Sequence, residues 1–175
     1  GITYLVTDTV LDKSFAMKEY LPQGKVARTA DQRLVPIDDA SKKSFDEGLA
    51  HFLLEGRTLA RLDHANVVKV YRCFEANDTA YLLMPWYRGE ALHTLLKRSG
   101  SLSRDEAMAL ATPLLDALAY IHDHSIVHGD IKPANIYITK DGDPVLLDFG
   151  AAENPEMAAE ERKNLGSAGY AAPEQ

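Results

Sequence analysis

Two long stretches of this chain carry helical periodicity, and each opens on the same four-residue signature. Ser44 with Glu47, and Ser103 with Glu106, have the spacing of a capping box. In that motif the serine hydroxyl accepts from the N–H three residues on, and the glutamate reaches back to the serine N–H. The first box predicts a helix over 45–62; the second predicts one running to about His122, with Pro113 as its one flaw. At about 100° per residue, Phe45, Leu49, Phe52, Leu53, Leu59, Ala60 and Leu62 fall on one broad apolar face. Strand-type runs surround that helix: 1–10, then 15–20 after a turn at 11–14, then 66–74, then 79–84 after the turn residues 75–78. Residues 21–43 hold two prolines and no sustained period, and read as a loop. Past Gly89 come a short helix over 90–98, the long helix, and short strands at 136–138 and 144–147 around Asp141-Gly142. The pattern is α+β in two parts. A small antiparallel β lobe with one main helix (1–86) joins a mainly helical part (87–175) through a link at 85–89.

Composition narrows the function. The 175 residues are 46% apolar, enough for a core, and 19 Lys plus Arg against 26 Asp plus Glu leave a formal charge of −7. A nucleic-acid binder needs a basic surface, so no nucleic-acid partner is expected. Cys73 is the one cysteine, which excludes an internal disulfide framework or a multi-cysteine zinc site and fits a reducing compartment. His122 and His124 are better placed at a helix end than as metal ligands. No apolar run approaches the ~20 residues of a membrane span, and the start is no signal peptide. The expectation is a cytoplasmic piece without a membrane segment, any anchor lying outside it.

Three clusters carry chemistry: His128-Gly129-Asp130-Ile131-Lys132-Pro133-Ala134-Asn135, then Asp148-Phe149-Gly150 directly after an apolar run, then Ala172-Pro173-Glu174. Each alone is ordinary turn chemistry. Glu55 sits on the apolar face of the first helix, where an edge glutamate reaching to water is the plain reading. The order is what signifies. With Lys18 in a strand and Glu55 upstream, the set resembles the signature of protein kinases, in the style of bacterial eukaryotic-like Ser/Thr kinases, over essentially the whole chain.

The resemblance implies a two-lobed kinase-like fold with an incomplete large lobe, and ATP-dependent transfer to Ser/Thr hydroxyls of a protein substrate. It implies that Lys18 holds the α- and β-phosphates and that Glu55 orients Lys18. Asp148 and Asn135 would hold Mg²⁺ through hard oxygen donors. Asp130 would orient the substrate hydroxyl or accept its proton, and Lys132 would neutralise the γ-phosphate. Adenine would lie by Ala16, the gatekeeper Met84, Pro85 and the Tyr87 N–H, with Glu90 toward the ribose. Thr3 and Tyr137 stand where the family usually lines this pocket with aliphatic residues. Leu59, Val70, His128 and Phe149 match its stacked apolar column.

Gly129 replaces the arginine with which many of these enzymes meet an activation-segment phosphate. Residues 151–165 hold no Ser, Thr or Tyr, so switching by phosphorylation within that stretch is not expected. Ser167 matches the residue that bonds the catalytic Asp and Lys. Gly1 matches only the last glycine of the phosphate-covering loop, so sequence on both sides of this piece is expected. From Lys18 to Glu55 is a span of 37 residues, longer than usual, which implies an insertion. The competing readings are a pseudokinase serving as a scaffold, and a small-molecule phosphotransferase of the aminoglycoside or choline kinase type.

Overall fold

β1 (Ile2–Asp8) and β2 (Lys13–Glu19) pair antiparallel from Ile2↔Glu19 to Asp8↔Lys13. Their turn is set by two aspartates: Asp8 Oδ1 accepts from the N–H groups of Val10 and Leu11, and Asp12 takes the left-handed conformation at φ 48°. The computed structural model describes residues 1–152 and 170. They form two compact units, residues 1–61 with 69–86, and 62–68 with the chain from 87 onward.

In the first unit the stretch expected as a loop is a hairpin, β3 (Val26–Arg28) paired with β4 (Leu34–Pro36). Strands of three residues are too short to show a period, and tertiary contacts fix them. Leu34 is buried and its N–H donates to the Asn77 carbonyl at 2.9 Å, while Arg33 Nε lies 2.8 Å from Asp78 Oδ2. Helix α1 (Asp39–Ala60) starts six residues before the expected Phe45. Asp38, not Ser44, is its cap, with the side chain accepting from Ser41 N–H at 2.7 Å. The added turns are polar and solvated, so no apolar periodicity announced them. Phe45, Phe52, Gly56 and Leu59 are its buried residues; the helix packs on β4, β5 (Arg72–Ala76) and β6 (Thr79–Pro85), with the Phe45 and Phe52 rings against Tyr20. The sheet order is β1-β2-β6-β5. Asn77 and Asp78, both at positive φ, close the β5–β6 hairpin in two residues.

Strand expectations for 66–74 hold only from Arg72 on. Val67 and Val68 instead join the second unit: Val67 bridges Leu146 in parallel, and the Val68 N–H donates to the Leu146 carbonyl at 2.9 Å. An apolar β-branched run marks burial in either case, and periodicity alone could not say where. The second unit carries β7 (Gly89–Ala91), α2 (Leu92–Ser99), α3 (Arg104–Asp123), a 3-10 turn at Pro133–Asn135, β8 (Ile136–Thr139) and β9 (Pro144–Leu146). Residues 90–91 are strand rather than helix, because they pair with β8 in the sheet β7-β8-β9. The Ser103–Glu106 capping box is present in both halves, at 3.2 and 2.8 Å. α3 buries Ala117 and Ile121 and packs on β9. Ile126, His128, Ile136, Val145, Leu146 and Phe149 are also buried. Among the described residues no helix is long and apolar enough to cross a membrane.

Candidate active site

The sheet register gathers one set of the expected residues on a single face of the first unit. Thr3 lies opposite Lys18 and Lys18 opposite Leu82; one row along, Leu5 lies opposite Ala16 and Ala16 opposite Met84. Cross-strand partners share a face, so Thr3, Ala16, Lys18 and Met84 form one surface, with Gly1 just before β1 and Pro85 ending β6. α1 packs on the same face. Gly56 is the point of closest approach: a Cβ there would collide with the Leu82 side chain and stand 2.9 Å from Cys73 Sγ. One residue earlier, Glu55 Oε1 meets Lys18 Nζ at 3.2 Å, and the ammonium sits 5.7 Å from the centre of the Phe52 ring. The carboxylate that looked misplaced on an apolar helix face is the partner of a cation on the sheet below it. Its side chain is 8% exposed and that of Lys18 24%, so the pair is held where charge is poorly screened.

In the second unit, Asp130 follows a tight turn at Gly129, whose φ is +74° and whose missing Cβ would strike the Ala151 carbonyl oxygen. Lys132 Nζ lies 2.6 Å from Asp130 Oδ2. Asn135 Nδ2 donates both to the Asp130 carbonyl oxygen at 2.9 Å and to Asp130 Oδ2 at 3.0 Å. A lysine and an amide thus fix one carboxylate oxygen from two sides. Since both bonds use Nδ2, the Asn135 side-chain oxygen remains as a hard donor.

The β8–β9 hairpin sets Asn135 against Asp148. Ile136 pairs with Leu146, and the Leu147 N–H donates to the Asn135 carbonyl at 2.8 Å. Asp148 is the next residue, exposed, in the left-handed conformation at φ 57°. For a non-glycine residue that conformation carries strain of about 1 kcal/mol, tolerated best by Asp and Asn. Phe149 turns inward, its ring 4.5 Å from the His128 ring. His128 Nε2 lies 3.0 Å from the Leu147 carbonyl, and its Nδ1 accepts from the Asp130 N–H at 3.3 Å. Those partners select the neutral tautomer protonated on Nε2. Burial lowers the His128 pKa, against the opposing pull of Leu147, Asp148 and Asp130. One buried ring therefore ties the segment before Asp130 to the segment before Asp148.

Among the other expected contacts, Tyr87 gives its carbonyl to the Tyr137 hydroxyl at 3.3 Å. Tyr137 lies on β8 opposite Ala91. Glu90, on β7, pairs with Arg98 of α2 at 2.7 Å. Leu59 and Val70 are buried in the first unit, as are His128 and Phe149 in the second. Ser167 and residues 172–174 lie outside the described residues. Gly56 and the glutamate after Lys18 were not singled out from the sequence. A glycine within a helix was the available signal for the first.

The sequence model of the protein kinase domain matches residues 23–175. Serine/threonine-protein kinase PrkC of Bacillus subtilis is 31% identical over 174 residues, 98% of this chain and 24% of that protein. Serine/threonine-protein kinase PknA of Mycobacterium tuberculosis is 35% identical over 164 residues, 87% of this chain and 38% of that protein. The solved structure titled PpkA-294 apo form superposes with a TM-score of 0.82 at 35% identity, over 86% of this chain and 54% of that one. The chain thus spans well under half the length of these curated relatives. Lys18 with Glu55, and the Asp130–Lys132–Asn135 cluster beside Asp148, stand in a chain that belongs to the protein kinase family.

Proposed function

We propose that this chain is the catalytic segment of a Ser/Thr protein kinase that moves the γ-phosphoryl group of ATP to a protein hydroxyl. The observation that carries the reading is the Asp130 carboxylate held by Lys132 and Asn135, the latter accepting at its carbonyl from the Leu147 N–H just before Asp148. Phosphoryl transfer needs positioning and charge neutralisation more than covalent participation by the protein. Asp130 Oδ2 is fixed by two donors, which suits a group that orients an incoming hydroxyl and takes its proton. The acceptor oxygen then bonds to the γ-phosphorus as the bond from that phosphorus to the β–γ bridging oxygen breaks, and ADP leaves with that oxygen. Lys132 is placed to offset charge growing on the transferred group.

Glu55 holds the Lys18 ammonium in place for the α- and β-phosphates. The face shared by Thr3, Ala16 and Met84 offers apolar area for the base, with Pro85, Tyr87, Glu90 and Tyr137 along the chain that follows. The donor set fits Mg²⁺: the Asn135 amide oxygen and the Asp148 carboxylate are hard ligands. An ion of this kind keeps waters and substrate phosphates as its further ligands. When bound, that ion would neutralise and align the phosphates. Lys132, two residues past Asp130, favours Ser or Thr over Tyr as acceptor.

The test is Mg²⁺-dependent transfer from γ-labelled ATP by the full-length protein, beside Asp148→Asn. Asn keeps the backbone tolerance for positive φ, so the substitution isolates the charge. Loss on the order of a hundredfold or more, with label on Ser or Thr, is expected. Equal transfer by both proteins sinks the reading; label passing to an amino alcohol or sugar alone favours the small-molecule alternative.

A further inference from the structure

Glu19 follows Lys18 directly, so their side chains leave opposite faces of β2. Glu19 is 1% exposed, yet it is fully partnered. Its Oε2 accepts from the Tyr4 hydroxyl and from Arg28 Nη2, both at 2.7 Å, and its Oε1 accepts from the Tyr81 hydroxyl at 2.8 Å. Tyr4 comes from β1 and Tyr81 from β6, while Arg28 comes from the β3–β4 hairpin. That hairpin leads straight into the Asp38 cap of α1. Two neighbouring residues of one strand thus hold the two ends of one excursion of the chain. Glu19 grips the hairpin from one face, and Lys18 grips Glu55 of α1 from the other.

An ion pair open to water on one side, as here with the Arg28 side chain 29% exposed, is a weak device for stability. Its placement on the residue beside Lys18, at the root of the segment carrying Glu55, points to another use. We propose that Glu19 and Arg28 are positioning residues, clamping the hairpin so that α1 presents Glu55 to Lys18. The inference rests on the kinase reading for the role of Lys18, but the clamp can be tested apart from it.

The experiment uses the full-length protein, with Arg28→Met, Arg28→Lys, Glu19→Gln/Arg28→Met, Glu55→Gln and Arg28→Met/Glu55→Gln. Folding is followed by circular dichroism, and KM for MgATP and kcat are measured with an acceptor peptide. Arg28→Met is expected to raise KM for MgATP on the order of tenfold, the scale of one lost charged contact, leaving KM for the acceptor unchanged. Arg28→Lys should recover most of that loss. Added to Glu55→Gln, Arg28→Met should cost nothing more, because both act through one ammonium. Should Arg28→Met fail to fold, the Glu19→Gln/Arg28→Met protein replaces it, its neutral amide accepting from one tyrosine hydroxyl and donating to the oxygen of the other. A lowered melting temperature with unchanged KM for MgATP, or an additive loss with Glu55→Gln, overturns the proposal. Hydrogen exchange separates the two claims. If the wild type transfers no phosphate, the kinase reading fails, and the clamp then stands or falls on exchange in α1. Faster exchange over residues 39–60 of Arg28→Met, with β5 and β6 still protected, supports it; unchanged exchange there overturns it.

Discussion

Gly129 shows how one residue can carry both a backbone requirement and a functional difference. Its φ of +74° and the approach of the Ala151 carbonyl leave no room for a Cβ. Gly129→Ala should therefore destabilise the protein by about 1–3 kcal/mol, read as a lower midpoint in urea denaturation. An arginine in this position would meet the same obstacle, so the residue many kinases use to engage a phosphate does not fit this backbone. At Asp148 the same left-handed conformation is occupied by a charged side chain. Asp148→Gly should relieve that strain, and thermal unfolding should show a midpoint no lower than the wild type's while phosphate transfer is lost.

At the level of elements, α1 is fixed on its sheet by a missing side chain. Gly56→Ala would gain about 1 kcal/mol of helix propensity. Against that, its methyl group would meet Leu82, which is fully buried, and Cys73 Sγ at 2.9 Å. Overpacking of this kind costs about 1–3 kcal/mol, so the net change is a loss. The more telling effect is on Glu55, which would be carried away from Lys18 with the helix. Steady-state kinetics should show a higher KM for MgATP. An unchanged KM would mean that the Lys18–Glu55 distance tolerates the shift.

For the molecule as a whole, two buried titratable groups bias stability in the same direction. Burial lowers the His128 pKa, so between about pH 6.5 and its folded value the unfolded chain binds the extra proton. Burial raises the Glu19 pKa, but hydrogen bonds from Arg28, Tyr4 and Tyr81 outweigh it and hold the group below the ordinary carboxylate value. Both contributions are present above the unfolded pKa and are lost as pH falls toward the folded one. Stability should therefore decline in two stages on acidification, the upper below about pH 6.5 and the lower in the carboxylate range. Denaturation midpoints measured against pH check this. The upper stage belongs to His128 if His128→Gln abolishes it.

The residues of the candidate site were legible because the chain's motifs stand in the order of the protein kinase family. Lys18, Asp130, Lys132, Asn135 and Asp148 were named through that resemblance, since each motif alone is ordinary turn chemistry. The two long helices were legible from apolar stripes, a local property of the chain, and the second also from its Ser103–Glu106 capping box. Glu55 was ambiguous until its partner appeared, since a carboxylate on an apolar face is costly or useful according to what lies opposite. The hairpin at residues 26–36 and the division of 66–74 were decided by contacts between separate elements: Arg28 with Glu19, Leu34 with Asn77, Val68 with Leu146. Periodicity reports which side of an element is apolar, whereas the partner that covers it belongs to the folded chain. That is why the resemblance could name candidate residues, and only tertiary structure showed what holds them in place.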